Sequence, residues 1–309
     1  MSFLRTAAIT TLLCLFTSLN AAAPTYHVDK KYKVTLDENA VYLATLSDSS
    51  LVAVCKSGAV KILSSSGKEI TSFKMNLTEG EQVRSVAVDG KNNIFVFITK
   101  YRALQRKIRG RTYKYYSPVE ASFVKFDKKG KKLDCKQLKG IRSAVAAQFT
   151  GKELAVGDYT TSTIFFIDPD TAEIKANVHN GIRLCCGIFD FSKGLKPGTV
   201  VVANLGAFKV QTFNSSGTVS AWGKRGRDLS DFHGCCNPVS VAVLPNACIV
   251  TVEKDPTRIK VYDKKGKRAK VIKGVQELVK GCSHIPVAVD SKGNIYLASN
   301  KKQIIKCKK

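Results

Sequence analysis

The sequence predicts an all-β fold: a single six-bladed β-propeller domain over residues 22–309, its ring closed by an N-terminal strand. Three observations predict it. Short apolar runs of strand length alternate with turns rich in Gly, Asn, Asp and Ser, and no long amphipathic helix interrupts them. A hairpin pattern with a turn glycine recurs at 60–68, 123–131, 210–217 and 259–267. Related features, including two pairs of adjacent cysteines, return roughly every 50 residues, about the length of one propeller blade.

Residues 1–21 read as a secretory signal. Arg5 supplies a positive start and residues 7–16 a short apolar stretch. The run Leu19-Asn20-Ala21-Ala22-Ala23 supplies the small residues of a cleavage site. No later run reaches the roughly 20 apolar residues that a membrane-spanning helix needs. The expectation is a protein exported to a periplasm or secreted, with no membrane span.

Residues 32–36 then alternate in character and form a first strand. Six units follow, starting near Asn39, Val83, Ile141, Arg183, Cys235 and Cys282. Segments 85–89, 240–243 and 286–290 are near copies, and their Ala and Val content suits strands crowded around an axis. Segments 93–97, 248–252 and 294–298 are the strands that follow them. In the next hairpins Gly67, Gly130, Gly217 and Gly266 free the turn to take positive φ, and 165–170 is a copy without the glycine. The last unit has room for only three strands before Lys309. The strand at 32–36 is therefore expected to pair beside it and cover edges that otherwise invite aggregation.

The runs Trp222-Gly223-Lys224-Arg225-Gly226 and Asn237-Pro238-Val239-Ser240-Val241-Ala242-Val243, with 258–263 and 286–298, resemble the NHL-repeat family of six-bladed propellers. The match is close in the last two units and weaker in the first four. Where the family pattern places an Asp after the second strand, this chain has Asp158, Asn204, Glu253 and Asn300, and Cys55 or Lys56 in the first unit. The family includes protein-binding and RNA-binding modules and some enzymes. The resemblance therefore implies an architecture and no single activity.

Cys185 and Cys186, Cys235 and Cys236, and Cys282 precede the inner strands of three successive units, and His233 and His284 accompany them. Loops at that position lie on one face of a propeller beside its channel, so five sulfurs and two imidazoles are expected to converge on one mouth. Thiolate and imidazole together suit a soft metal ion such as Cu, Zn or Fe. In an exported chain the same cysteines suit disulfides, and both readings stand. Nine cysteines remain after the signal, so at least one is left outside any intramolecular pairing. No C-x-x-C occurs, which excludes a zinc knuckle, a thioredoxin motif and a c-type haem site.

A net charge of +26 should draw a polyanion or an acidic protein partner. The plainer reading is a basic exterior facing solvent. The candidate partner-binding stretch is 100–116, where Arg106, Lys107, Arg109 and Arg111 lie among four tyrosines. Cations with aromatic faces suit phosphate or sulfate contacts plus stacking. An elongated solvent-facing hairpin would read the same way. No RNA-binding fingerprint accompanies it, and export argues against nucleic acid.

No G-x-S-x-G, H-E-x-x-H or Walker loop is present. Three functions remain. The first is a binding module working through the cysteine-rich face. The second is a metal-binding or redox protein with a Cys/His centre at the channel mouth. The third is a propeller hydrolase or lyase using Asp158, Asn204, Glu253 and Asn300. Whether the chain is an enzyme stays open.

Overall fold

A computed structural model describes residues 22–183, 190–279 and 284–309, so the signal at 1–21 lies outside the described residues. The described chain forms six antiparallel sheets, each a blade, with one short 3-10 turn at Leu205–Ala207. Blade 1 comprises Ala40–Thr45, Leu51–Cys55, Ala59–Leu63 and Glu69–Lys74. Blade 2 comprises Glu81–Val88, Ile94–Ile108, Arg111–Phe126 and Lys132–Gln137. Blade 3 comprises Ala144–Phe149, Leu154–Asp158, Thr163–Ile167 and Ile174–Val178, and blade 4 Phe191–Lys193, Val200–Asn204, Lys209–Asn214 and Gly217–Trp222. Blade 5 comprises Ser240–Val243, Ile249–Glu253, Arg258–Tyr262 and Ala269–Val271. Blade 6 has Val287–Val289, Ile295–Ala298 and Gln303–Lys308, and its outer edge is completed by His27–Val28 and Val34–Thr35 from the N-terminus.

Burial explains why these strands read as unbroken apolar runs. The second strand of a blade is covered on both faces, and Leu51–Cys55 is buried at every position. Side chains alternate in direction, so Leu51, Ala53 and Cys55 pack toward blade 6 while Val52 and Val54 pack toward blade 2. The core is accordingly divided into six clusters, one between each pair of neighbouring blades, including blade 6 against blade 1. No sheet closes on itself; the blades are joined by side-chain packing.

Polar side chains near the axis add a second tie. Ser85 Oγ accepts the Ala147 N–H at 2.7 Å, and Ser192 Oγ accepts the Val243 N–H at 3.0 Å. Thr45 Oγ1 donates to the Val289 carbonyl at 2.8 Å, and Ser240 Oγ to the Ile285 carbonyl at 2.7 Å. Each bond runs from one blade to its neighbour and satisfies a backbone group that no strand pairing reaches.

The strand expected at 32–36 pairs with the last strand: Val34 faces Ile304 and Thr35 faces Gln303. A second pairing was not legible in the sequence, His27 with Lys308 and Val28 with Cys307. Tyr32, Val34 and Leu36 enter the cluster between blades 6 and 1, and Tyr32 meets Tyr296 edge-on at 5.8 Å. Tyr26 enters the cluster between blades 5 and 6 and donates its hydroxyl to the Gly293 carbonyl at 2.8 Å.

The hairpin turns share one device. Asp127, Asp263 and Asp290 each accept two backbone N–H groups, at i+2 and i+4, on Oδ1. The glycine at i+3 takes φ between 69° and 84° and closes the turn onto the Asp carbonyl. Asp168 does the work of the glycine-free copy by accepting the Asp170 and Thr171 N–H groups.

Two outcomes follow. Tyr26, Tyr32, Val34 and Leu36 are all buried, and each such side chain contributes about 1.5–3 kcal/mol. Deleting residues 22–36 should remove an amount comparable with the whole net stability of a domain, about 5–15 kcal/mol. Calorimetry of the shortened chain should show a collapsed or absent unfolding transition, and an unchanged Tm would refute this role. The second outcome concerns acid. Backbone N–H donors hold the carboxyls of Asp48, Asp127 and Asp168 below their ordinary value. A lowered folded-state pKa adds stability that is present above the unfolded value and lost as pH falls through the folded one. Tm should be flat above about pH 5 and fall progressively below about pH 4, in high salt as well as low. A Tm constant down to about pH 2 would contradict it.

Candidate functional site

Connectivity fixes what shares a face. Within a blade the strands run up and down, so the loop feeding an inner strand and the hairpin joining the second and third strands emerge on the same side. That side is the feeder face. It carries the loop of Cys235 and Cys236 and the hairpin of 100–116.

The hairpin is the largest departure from the repeat. Strands Ile94–Ile108 and Arg111–Phe126 stay paired for eight residue pairs beyond the blade, from Tyr101 with Pro118 to Ile108 with Arg111. At about 3.3 Å per residue this arm projects roughly 25 Å. Its turn is Arg109-Gly110, both at positive φ (49° and 78°), as a two-residue connection requires. A bulge at its root, between Lys100 and Tyr101, accommodates Pro118.

The arm splits the four candidate partner-binding residues. Arg106 pairs with Tyr113, Leu104 with Tyr115, and Ile108 with Arg111, so these six share one face. Lys107 pairs with Thr112 and Gln105 with Lys114, on the opposite face with Tyr116. Arg109 sits at the tip. All four candidates are exposed, and so are Ile108, Tyr113, Tyr115 and Tyr116. The stretch 100–116 contains seven basic residues and no acidic one.

The channel itself holds a cavity of about 530 Å³ lined by the inner strands of all six blades. Its rim residues, Ser47, Gly90, Leu195, Pro245 and Ser291, follow the inner strands, so it opens on the face opposite the feeder face. Toward the feeder face its lining includes Tyr42, Asp190 and His284. The Tyr42 and His284 rings stack at 5.3 Å, and His284 Nε2 stands 3.7 Å from Asp190 Oδ1. Burial pushes the Tyr42 hydroxyl up to about 12. Asp190 Oδ2 accepts the Val241 N–H and Oδ1 the Phe191 N–H, both at 3.0 Å.

Of the cysteine-rich set, Cys185, Cys186 and Cys282 lie outside the described residues. His284 reaches the axial cavity, whereas His233, Cys235 and Cys236 do not line it. His233 donates its N–H to Glu253 Oε2 at 3.3 Å. Asn237 clamps the same loop, bonding the Lys254 carbonyl at 2.9 Å and accepting the Lys254 N–H at 2.8 Å. Cys235 is exposed on this loop and Cys236 is buried beneath it. Among the described residues no three His, Cys, Asp or Glu side chains are placed to share a metal ion.

The ring of Asp158, Asn204, Glu253 and Asn300 requires correction. The first three are fully buried and their side chains are already engaged. Asp158 accepts the Arg142 and Thr160 N–H groups, and Asn204 accepts the Arg183 N–H and donates to the Gly181 carbonyl. Glu253 holds Arg258 and the wholly buried Lys260, whose Nζ also donates to the Leu229 and Asp231 carbonyls. These residues pin the feeder loops to their blades. Asn300 is exposed. The hydrolase or lyase reading therefore loses its ligand set.

The sequence did not single out Tyr42 or Asp190. Their signal was weak: Tyr42 is one aromatic among apolar neighbours, and Asp190 precedes the most degenerate inner strand.

No known protein family matches the chain, and no curated protein does. Solved structures do. The chain is similar to the WD40 β-propeller domain of Doa1, with a TM-score of 0.57 and 12% identity over 92% of this chain and 97% of that one. It is similar to the Pan2 WD40 domain of Neurospora crassa, with a TM-score of 0.53 and 12% identity over 91% and 97%. A protein of unknown function from Bacteroides caccae gives 0.53 and 15% identity over 75% and 81%. At these identities the likeness establishes the β-propeller fold alone. Among the described residues no helix is long and apolar enough to cross a membrane.

Thiol chemistry separates the cysteines. Burial pushes Cys55 and Cys307 up to about 12 and raises Cys248, while Cys135 and Cys235 are exposed. Iodoacetamide should label Cys135 and Cys235 in the native chain and reach Cys55, Cys248 and Cys307 only in denaturant. Equal rates at Cys135 and Cys307 would contradict the packing. If Cys235 is blocked until reductant is added it is bridged; if a chelator releases it, a metal holds it.

Proposed function

We propose that the chain is an exported, NHL-like propeller that captures an acidic protein partner on its feeder face, with the N-terminal strand latching the ring. One observation carries the reading: the arm at 101–118, whose Arg-Tyr face is displayed to solvent on a paired two-stranded support. Tyr and Arg are the side chains that dominate protein interfaces, because they combine large contact area with hydrogen bonding. The exposed Ile108 and half-buried Leu104 on that face fit an apolar protein surface better than a sulfated sugar. The +26 charge steers an acidic partner toward the arm.

Two double variants test it with charge held equal. Arg106→Ser with Arg111→Ser empties the Arg-Tyr face, whereas Lys107→Ser with Lys114→Ser removes the same charge from the other face. With a 20-residue oligoglutamate as probe, the first pair should weaken binding about tenfold or more and the second about threefold or less. Equal losses would reduce the effect to general charge and overturn the arm's role. Arm-dependent binding of heparin without binding of oligoglutamate would assign the partner to anionic polysaccharide instead.

A further inference from the structure

The feeder face has a further cation, near the start of an inner strand. Arg84 occupies the bulge in the inner strand of blade 2, where pairing shifts between Val83 and Ser85. The bulged position of blade 3 is Val145 and that of blade 1 is Val41, so the two neighbouring blades put an aliphatic side chain where blade 2 puts a guanidinium. A bulge leaves its residue out of the ladder and re-aims the side chain.

Arg84 as a whole is half-buried, yet its Nε is buried and has no hydrogen-bond partner among the described residues. Tyr42 of blade 1 and Tyr159 of blade 3 both feel its charge, and Tyr101, at the root of the arm, acts on both of them. Two carboxylates lie in the same neighbourhood, Asp190 near Tyr42 and Asp158 near Tyr159. Both are committed to backbone: Asp190 to the Phe191 and Val241 N–H groups, and Asp158 to the Arg142 and Thr160 N–H groups. The Nε is thus a buried donor without an acceptor among the described residues. Arg142 and Arg183 stand exposed on the adjacent feeder loops. A buried guanidinium Nε without a partner carries a desolvation cost that an arriving oxyanion would relieve.

We propose that the feeder-face mouth of the channel receives a carboxylate of the acidic partner, with Arg84 as its axial anchor and the tyrosine hydroxyls as supporting donors. This rests on the reading of the feeder face as the partner-binding face. The arm then guides the acidic segment from its exposed face, past Tyr101 at its root, to the axis.

The test uses the full mature chain and the 20-residue oligoglutamate probe. Arg84→Gln keeps a polar side chain and removes the charge and the guanidinium fork. It should weaken binding about tenfold to a hundredfold, the loss expected for a charge-assisted hydrogen bond. Arg84→Lys should lose less. Tyr159→Phe, which removes one hydroxyl and leaves the inner strands intact, should weaken binding a few-fold and serves if Arg84→Gln folds poorly. If Arg84→Gln and Tyr159→Phe both bind as the unaltered chain does while the Arg106/Arg111 variant has lost binding, the axial anchor is refuted and the arm stands. If Arg84→Gln loses binding while the arm variant does not, the anchor stands and the arm's role falls. Unaltered binding by every variant overturns both.

Discussion

The structure depends on one constraint: each blade is apolar on both faces. A strand such as Leu51–Cys55 has no face to offer to water, since Leu51, Ala53 and Cys55 need cover on one side and Val52 and Val54 on the other. A sheet of this kind cannot end a stack. Bending the stack into a ring gives every blade two neighbours, and the last of the six clusters, between blades 6 and 1, is where that requirement is met. The N-terminal residues matter because they add Tyr32, Val34 and Leu36 to that cluster and a sheet edge to blade 6. Their burial lies between the first and last blades, where chain connectivity contributes nothing.

The same economy governs the polar groups. Loops that feed the inner strands must turn sharply beside a tightly packed channel, and their backbone N–H groups need acceptors. Asp158, Asn204 and Glu253 supply them from the end of the second strand, at the same place in three blades. Repetition of a polar residue at one position around an axis resembles a ligand ring when read along the chain. In space each side chain turns into its own blade. Glu253 shows how complete this is: it neutralises Arg258 and Lys260, and Lys260 in turn pins the loop at 229–231.

Most of the fold was legible because periodicity encodes it. The near copies at 85–89, 240–243 and 286–290 are inner strands or their immediate flanks, and the glycine hairpins are the third and fourth strands. The arm at 100–116 was legible as an interruption, but its division into two faces depends on register, which the bulge at Lys100 sets and the sequence does not announce. The site was less legible. Arg84 reads as an ordinary surface residue beside an Ser-Val-Ala-Val strand, because a bulge inserts one residue without changing the apolar pattern around it. Tyr42, Tyr101 and Tyr159 come from three blades, and no local motif links them.

Placement of the arm follows from the up-and-down path of the strands. An insertion between the second and third strands of any blade can emerge only on the side of the feeder loops, so blade 2 could lengthen its hairpin without disturbing a single inter-blade cluster. Pairing with the inner strand ends at Lys100, followed by one bond from the Tyr101 N–H to the Gly80 carbonyl. That independence explains how a chain whose second strands are fully buried can carry exposed Ile108, Tyr113, Tyr115 and Tyr116 on one projection. Apolar and aromatic side chains in solvent have no structural task on an arm whose backbone pairing is already complete. On the proposed reading their task is contact with a partner, and the arm's root at Tyr101 begins where the inner strand's pairing ends.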